Sequence, residues 1–247
     1  MHTAGVSITV AGAGAPRADV DARVELKFVF ELADVGCLRE VLLRRCRRVS
    51  HAGPVSFVSS LYFDDGLLSS CRANLSGVGL RHKTRLRWYD RSEPGLGTVF
   101  LETKWRRHRL TGKWRTAIAS SSPMEDLRFE DLVAELERAV SSKQRPERLR
   151  DLVPVALVRY RREHYILDGG AARLTLDYDL RFTPQLGCPR LSNAFEWRMP
   201  EVTLIELKAR PGDERLVSGI LCPLRKSPGR FSKYVAACQA LGFAGRG

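Results

Sequence analysis

Residues 80–90, LRHKTRLRWYD, carry like charges at every second position. Side chains of a β-strand point to opposite faces in turn. Read as a strand, the segment puts Arg81, Lys83, Arg85, Arg87 and Tyr89 on one side, and Leu86 and Trp88 with Leu80, His82, Thr84 and Asp90 on the other. The pattern recurs. Glu25 and Lys27 oppose Val24, Leu26, Phe28 and Phe30; Glu102, Lys104 and Arg106 oppose Val99, Leu101, Thr103 and Trp105. Arg173, Thr175, Asp177, Asp179 and Arg181 oppose Leu174, Leu176, Tyr178, Leu180 and Phe182; Glu206, Lys208 and Arg210 oppose Thr203, Ile205, Leu207 and Ala209. Tyr160, Arg162 and His164 share a face of a further segment.

An antiparallel sheet with one wet face produces such alternation on its own. Here the polar face is made mainly of Lys and Arg with Glu and Asp, and the opposite face is large and apolar, so helices must cover it. Strands are expected at 23–30, 56–65, 80–90, 98–106, 111–118, 154–167, 172–182 and 201–210. Helices are expected at 32–47, near 66–75, at 123–142, and around 213–221 and 230–241. A long loop is expected at 183–200. The βαβ rhythm of a doubly wound sheet is missing, so the fold class is antiparallel α+β. The RRCRR run at 44–48 reads as a solvated helix end, where cations are favoured. His82 and His108 read as surface residues.

Closing about eight such strands gives a β-barrel with a charged interior, wide enough for a small ligand, and helices packed outside. Buried charges need partners. The chain carries 41 Lys and Arg against 28 Asp and Glu, a net charge of +13, so its own carboxylates do not suffice. A multivalent anion is the natural remaining partner: Arg offers phosphate a planar fork and Lys a compact point charge. Carboxylates among them are candidates to hold Mg²⁺ or Mn²⁺. The aromatic residues Trp88 and Trp105 oppose the cations, which argues against base stacking and hence against nucleic acid as a specific partner.

Other functions are excluded by what is missing. The six cysteines include no Cys-x-x-Cys pair, and no His-x-x-x-His occurs, so a zinc site is not indicated. They read as reduced thiols of a cytoplasmic protein. No apolar run approaches the ~20 residues of a membrane helix. Residues 1–22 are Gly- and Ala-rich and read as a flexible tail before one domain spanning 23–247.

Nine short segments occur in the order ELKFVF, SLYFDD, KTRLRWYD, FLETKWR, TGKWR, VRYRREHY, RLTLDYDL, LIELKAR and RFSKY. Together they resemble the VTC domain, the polyphosphate-polymerase module of the vacuolar transporter chaperone complex. That domain is one of the triphosphate tunnel metalloenzymes, related to the CYTH proteins. The resemblance implies a phosphate-gripping set of Lys27, Arg85, Arg87, Lys104, Arg162, Arg173, Lys208 and Lys233, with Lys113, Tyr160, Arg230 and Ser232 as further substrate contacts. It implies a metal-binding Glu206, to which Glu25, Glu102 and Asp177 are added as candidate ligands that could equally be ion-pair partners. The implied activity is transfer of the γ-phosphate of a nucleoside triphosphate to a growing polyphosphate chain, with Mn²⁺ or Mg²⁺. Of the CYTH pattern Glu-x-Glu-x-Lys only Glu25 and Lys27 stand; position 23 is Arg, which weighs against a thiamine-triphosphatase or cyclase. Hydrolysis of tripolyphosphate or nucleoside triphosphate, and plain polyphosphate binding, remain alternatives. Arg81 and Lys83 are expected at the tunnel mouth, attracting a polyanion without positioning it.

Overall fold

Period-two alternation becomes strand at every expected segment, with ends shifted by a few residues. The computed structural model describes residues 8–10, 24–51, 53–90, 99–107, 110–120, 124, 126–140, 149–210, 212–213 and 219–245. The strands are β1 (Ile8–Val10), β2 (Val24–Glu31), β3 (Cys46–Val49), β4 (Ser56–Asp64), β5 (Leu80–Asp90), β6 (Val99–Arg107), β7 (Leu110–Ser120), β8 (Val153–Leu167), β9 (Ala172–Pro184), β10 (Trp197–Met199) and β11 (Val202–Ala209). The helices are α1 (Val35–Leu43), α2 (Ser69–Leu75), α3 (Phe129–Ala139) and α4 (Lys233–Ala240).

All the described strands join one antiparallel sheet, in the order β1-β7-β6-β5-β4-β8-β9-β11-β2, with β10 on β9 and β3 on β8. The closed barrel of about eight strands is therefore not formed: among the described residues, the two end strands do not pair. The free edge of β7 is taken by β1. On β2, the Lys27 carbonyl accepts from the Gly229 N–H at 2.7 Å, so a loop occupies part of that edge. The sheet nevertheless curls on itself. Glu25 on β2 meets Lys104 on β6 at 3.8 Å, although five strands lie between them in the sheet.

The curl sorts the two faces. On the convex side, α3 buries Leu132 and Leu136 against Leu61, Leu86, Trp88, Leu101 and Ile118. Leu86 and Trp88 are thus covered by a helix, as the alternation requires. α1 buries Leu38 and Leu42 against Phe28, Phe30, Leu174, Leu176, Ile205 and Leu207 on the other half of that side. The third cluster sets α4 against β4, β8 and β9, through Tyr234, Ala237 and Cys238.

Several expectations are corrected in detail. The helix of 32–47 ends at Leu43, and the last three residues of RRCRR are strand: Cys46–Val49 pairs with β8. Arg48 there is no solvated helix end. It joins Arg39 on Glu163, a fully buried carboxylate, at 3.0 and 2.8 Å, and Tyr165 and Tyr178 also donate to Glu163. The 183–200 loop contains β10. Within the expected tail, Ile8–Val10 forms β1; the rest of 1–22 lies outside the described residues, as do His108 and residues 214–218 of the expected helix at 213–221.

Candidate functional site

The charged residues of the concave face fall into two buried ion-pair groups and one open cavity. The first group centres on Glu102, which is 1% exposed. Arg85 donates to it through Nε at 2.8 Å and Nη2 at 2.6 Å. Lys113 also donates to it, Arg115 approaches at 3.3 Å and Arg87 stands 3.9 Å away. Strand register produces this: Glu102 faces Arg85 on one side and Arg115 on the other. Burial alone would raise the carboxyl's pKa, but Arg85, Arg87 and Lys113 hold it well below the usual range.

The second group joins Asp177 and Glu206. Arg162 takes Asp177 with both nitrogens of its fork at 2.6 Å and reaches Glu206 at 3.4 Å. Lys233 bridges the two carboxylates at 2.6 and 3.0 Å. Burial opposes its charge, yet Asp177 and Glu206 raise its pKa above the usual lysine value. Burial works against Glu206 too, but Lys233, Lys27 and Arg162 keep it well below the usual range. Lys233 reaches this place because α4 is pinned at its first turn. Tyr234 stacks on Tyr62 with ring centroids 5.0 Å apart and donates to Asp64 at 2.6 Å. Asp64 also caps α2 by accepting from the Ser70 and Cys71 N–H groups.

Arg87 differs from Arg85 and Arg162. Its close partners are neutral: it donates to the Ser60 hydroxyl at 3.1 Å and to the Tyr160 hydroxyl at 3.0 Å.

Beside these groups opens a cavity of about 700 Å³. Among the described residues, eight Lys and Arg side chains line it against a single carboxylate, Glu25. Lys27, Lys104 and Lys208 share that carboxylate at 3.4, 3.8 and 3.9 Å. Burial opposes the charge on Glu25, but Lys104, Lys27 and Lys208 pull its pKa down to about 2. Lys104 has only a share of that carboxylate, and its pKa is lowered to about 7, burial opposing its charge and Glu25 supporting it. Lys113 falls to about 8, mainly by burial, with Glu102 working against the fall.

Lys83 lines this cavity, as does Arg81, and donates to the Ser232 hydroxyl at 2.9 Å. Burial, then Lys27, Arg81 and Arg85, lower its pKa from 10.5 to about 7. The unfolded chain keeps this proton over a pH window in which the folded chain has released it, so folding gains as pH rises from 7 towards 10.5. The melting temperature should therefore climb through that window, and climb less in Lys83→Met.

Of the residues singled out by sequence, Lys27, Lys104, Lys113, Lys208, Arg230 and Ser232 line the cavity with Glu25. Arg85, Arg87, Glu102, Tyr160, Arg162, Asp177, Glu206 and Lys233 lie in the buried groups around it. Arg173 is exposed, opposite Lys208 on the neighbouring strand, and does not line the cavity. His82 is half-buried beside it. Trp105, assigned to the far face, also borders it. Its indole lies across Gly112, where a Cβ would stand 2.2 Å from the ring, so only glycine fits there. Tyr62, Ser60 and Asp64 escaped sequence reasoning; they hold Arg85, Arg87 and α4, and only strand register identifies them.

Among the described residues, no group of three or more His, Cys, Asp or Glu gathers as a metal cluster, and no helix is long and apolar enough to cross a membrane. Glu25 and Glu206 do flank one ammonium, Lys27, at 3.4 and 3.7 Å. Such a pair of oxygen donors suits Mg²⁺ or Mn²⁺, which take one or two carboxylates and complete their shell from water and substrate phosphate.

Among protein-family models, the VTC domain matches residues 22–242. The chain belongs to the VTC domain family. Solved structures similar to it include the PH1819 protein of Pyrococcus horikoshii OT3, at 16% identity and a TM-score of 0.47, covering 89% of this chain and 98% of that one. A candidate adenylate cyclase from Vibrio parahaemolyticus has 11% identity and a TM-score of 0.45, covering 87% and 97%. Another from Bacillus halodurans has 11% identity and a TM-score of 0.45, covering 85% and 95%. No curated protein matches significantly.

Proposed function

We propose that this protein is a metal-dependent polyphosphate polymerase, which transfers the γ-phosphate of a nucleoside triphosphate, ATP foremost, to a growing polyphosphate chain. The observation that carries this reading is the cavity wall: among the described residues, eight cations against one carboxylate. At ~4 Å and an effective dielectric near 20, each cation–phosphate contact is worth on the order of 4 kcal/mol before desolvation. Several together suffice to hold a polyanion.

Phosphoryl transfer asks little covalent chemistry of a protein. It asks for alignment of donor and acceptor and for neutralisation of spreading charge. Lys27, Lys104 and Lys208 supply point charges in the cavity, and Lys113 and Arg230 add to them. Arg87 supplies a fork already oriented by Ser60 and Tyr160. The acceptor is itself a phosphate oxygen anion, so no strong general base is needed. In this reading Glu206 and Glu25 would hold the divalent cation, which would supply positive charge to the phosphates. Glu102 and Asp177 keep Arg85, Arg162 and Lys233 in place as ion-pair partners. The thiols of Cys46, Cys71 and Cys238 are buried and, among the described residues, not joined in disulfides, which suits a reducing, cytoplasmic setting.

Purified protein incubated with ATP and Mn²⁺ should make chains resolvable on a gel, and Glu206→Gln should make none while remaining folded. Orthophosphate as the sole product would reassign the same cavity to hydrolysis. Polyphosphate binding without turnover of ATP under either metal would leave a binder. DNA outcompeting polyphosphate in a salt-titrated competition would sink the reading altogether.

A further inference from the structure

Three lysines stand in one line across three strands. Lys83 on β5 is directly opposite Lys104 on β6, and Lys104 is directly opposite Lys113 on β7. Neighbouring strands lie about 4.8 Å apart, and like charges directly opposite one another destabilise a sheet. The next row inward is balanced, since Arg85, Glu102 and Arg115 alternate in sign. The next row outward pairs Arg81 with Arg106 and Thr111. The lysine row is where the cavity wall changes from compensated to uncompensated.

Within that row the lysines are unequal. Lys113 donates to Glu102, and Lys104 has a share of Glu25 at 3.8 Å. Among the described residues no carboxylate lies within ion-pair distance of Lys83. Its hydrogen bond goes to a neutral hydroxyl, that of Ser232, which in turn caps α4 by accepting from the Val235 N–H. The ammonium is thus fixed in position on the wall of an anion-sized cavity without a counter-charge. An unpaired charge held in place by the fold is costly, and an arriving anion removes that cost.

We propose that Lys83 is a phosphate-binding residue, completing with Lys104 and Lys113 a row of point charges that takes one phosphate group of a triphosphate or polyphosphate chain. Three compact ammonium groups suit a phosphate approached from several directions, where a guanidinium fork would impose one plane. The proposal rests on the polyphosphate reading above and adds to it a residue that the family resemblance did not supply.

The test is calorimetric titration of the full chain with inorganic tripolyphosphate at fixed salt and about pH 6, where Lys83 keeps its proton, alongside thermal melting, for wild type, Lys83→Met and Lys83→Arg. Lys83→Met should bind about tenfold to hundredfold more weakly, the range for a lost charge-assisted contact. It should melt at the same temperature or higher, because a buried like charge has gone. Lys83→Arg should recover part of the affinity. Lys83→Met binding within about twofold of wild type would overturn the proposal alone. Weaker binding accompanied by a lower melting temperature would make Lys83 a support for α4 through Ser232, and would overturn it too. Wild type that does not bind tripolyphosphate would overturn the polyphosphate reading itself, and the assignment of Lys83 with it.

Discussion

Glu102→Ala should cost the fold about 3–5 kcal/mol, the range seen when one partner of a buried ion pair is removed. The carboxylate is 1% exposed and is shared by Arg85, Lys113 and Arg115, with Arg87 at 3.9 Å. Removing it leaves these cations facing one another across β5, β6 and β7. Among the described residues Arg85 then keeps the Tyr62 hydroxyl, at 2.8 Å, which hydrogen-bonds but does not neutralise. Whole domains have net stabilities of only about 5–15 kcal/mol, so the variant should sit near the edge of folding. Urea unfolding monitored by tryptophan fluorescence measures this directly. Added chloride should restore little, because salt screens buried pairs poorly. Phosphate or tripolyphosphate should restore more, because each places negative charge where Glu102 was. A loss below about 1 kcal/mol, the range of exposed pairs, would show that water reaches these groups and that the row is not a buried one.

The face of each charged strand was legible because a period of two reports the face directly. Depth along the strand was not. Alternation puts Arg81, Lys83, Arg85 and Arg87 together, yet only register shows that Lys83 meets Lys104 while Arg85 meets Glu102. Closure was illegible for a related reason. The edges of β7 and β2 are taken by β1 and by the loop at Gly229, neither of which carries an alternating pattern. The run at 44–48 misled because arginines at a helix end and arginines on a strand look alike in sequence; the deciding group, Glu163, lies on β8, far along the chain. The resemblance to the VTC domain named most of the residues that converge. It could not separate Arg87, which meets hydroxyls, from Arg85 and Arg162, which meet carboxylates.

That separation gives the prediction with the largest effect on activity. Arg87→Ala should lower polymer formation by about 10²–10³-fold, comparable to removing one donor from a preorganised charge-stabilising site, while changing stability little. Its partners Ser60 and Tyr160 are hydroxyls, which can turn to one another or to water once the guanidinium is gone. Arg85→Ala and Arg162→Ala also remove buried cations, but each takes from a buried carboxylate, Glu102 or Asp177, the partner that holds it through two nitrogens, so they should lose activity and stability together. The measurement is the initial rate of chain formation from ATP with Mn²⁺, paired with urea unfolding of all three variants. Arg87→Lys refines it further: lysine keeps the charge but cannot hold Ser60 and Tyr160 simultaneously in the plane of a fork, so it should recover only part of the rate. If Arg87→Ala destabilises the fold as much as Arg85→Ala, Arg87 is a further member of the Glu102 ion-pair group, and its charge is committed to the protein and not to phosphate. If it is both stable and fully active, phosphate is gripped elsewhere in the cavity, and the lysines alone carry the binding.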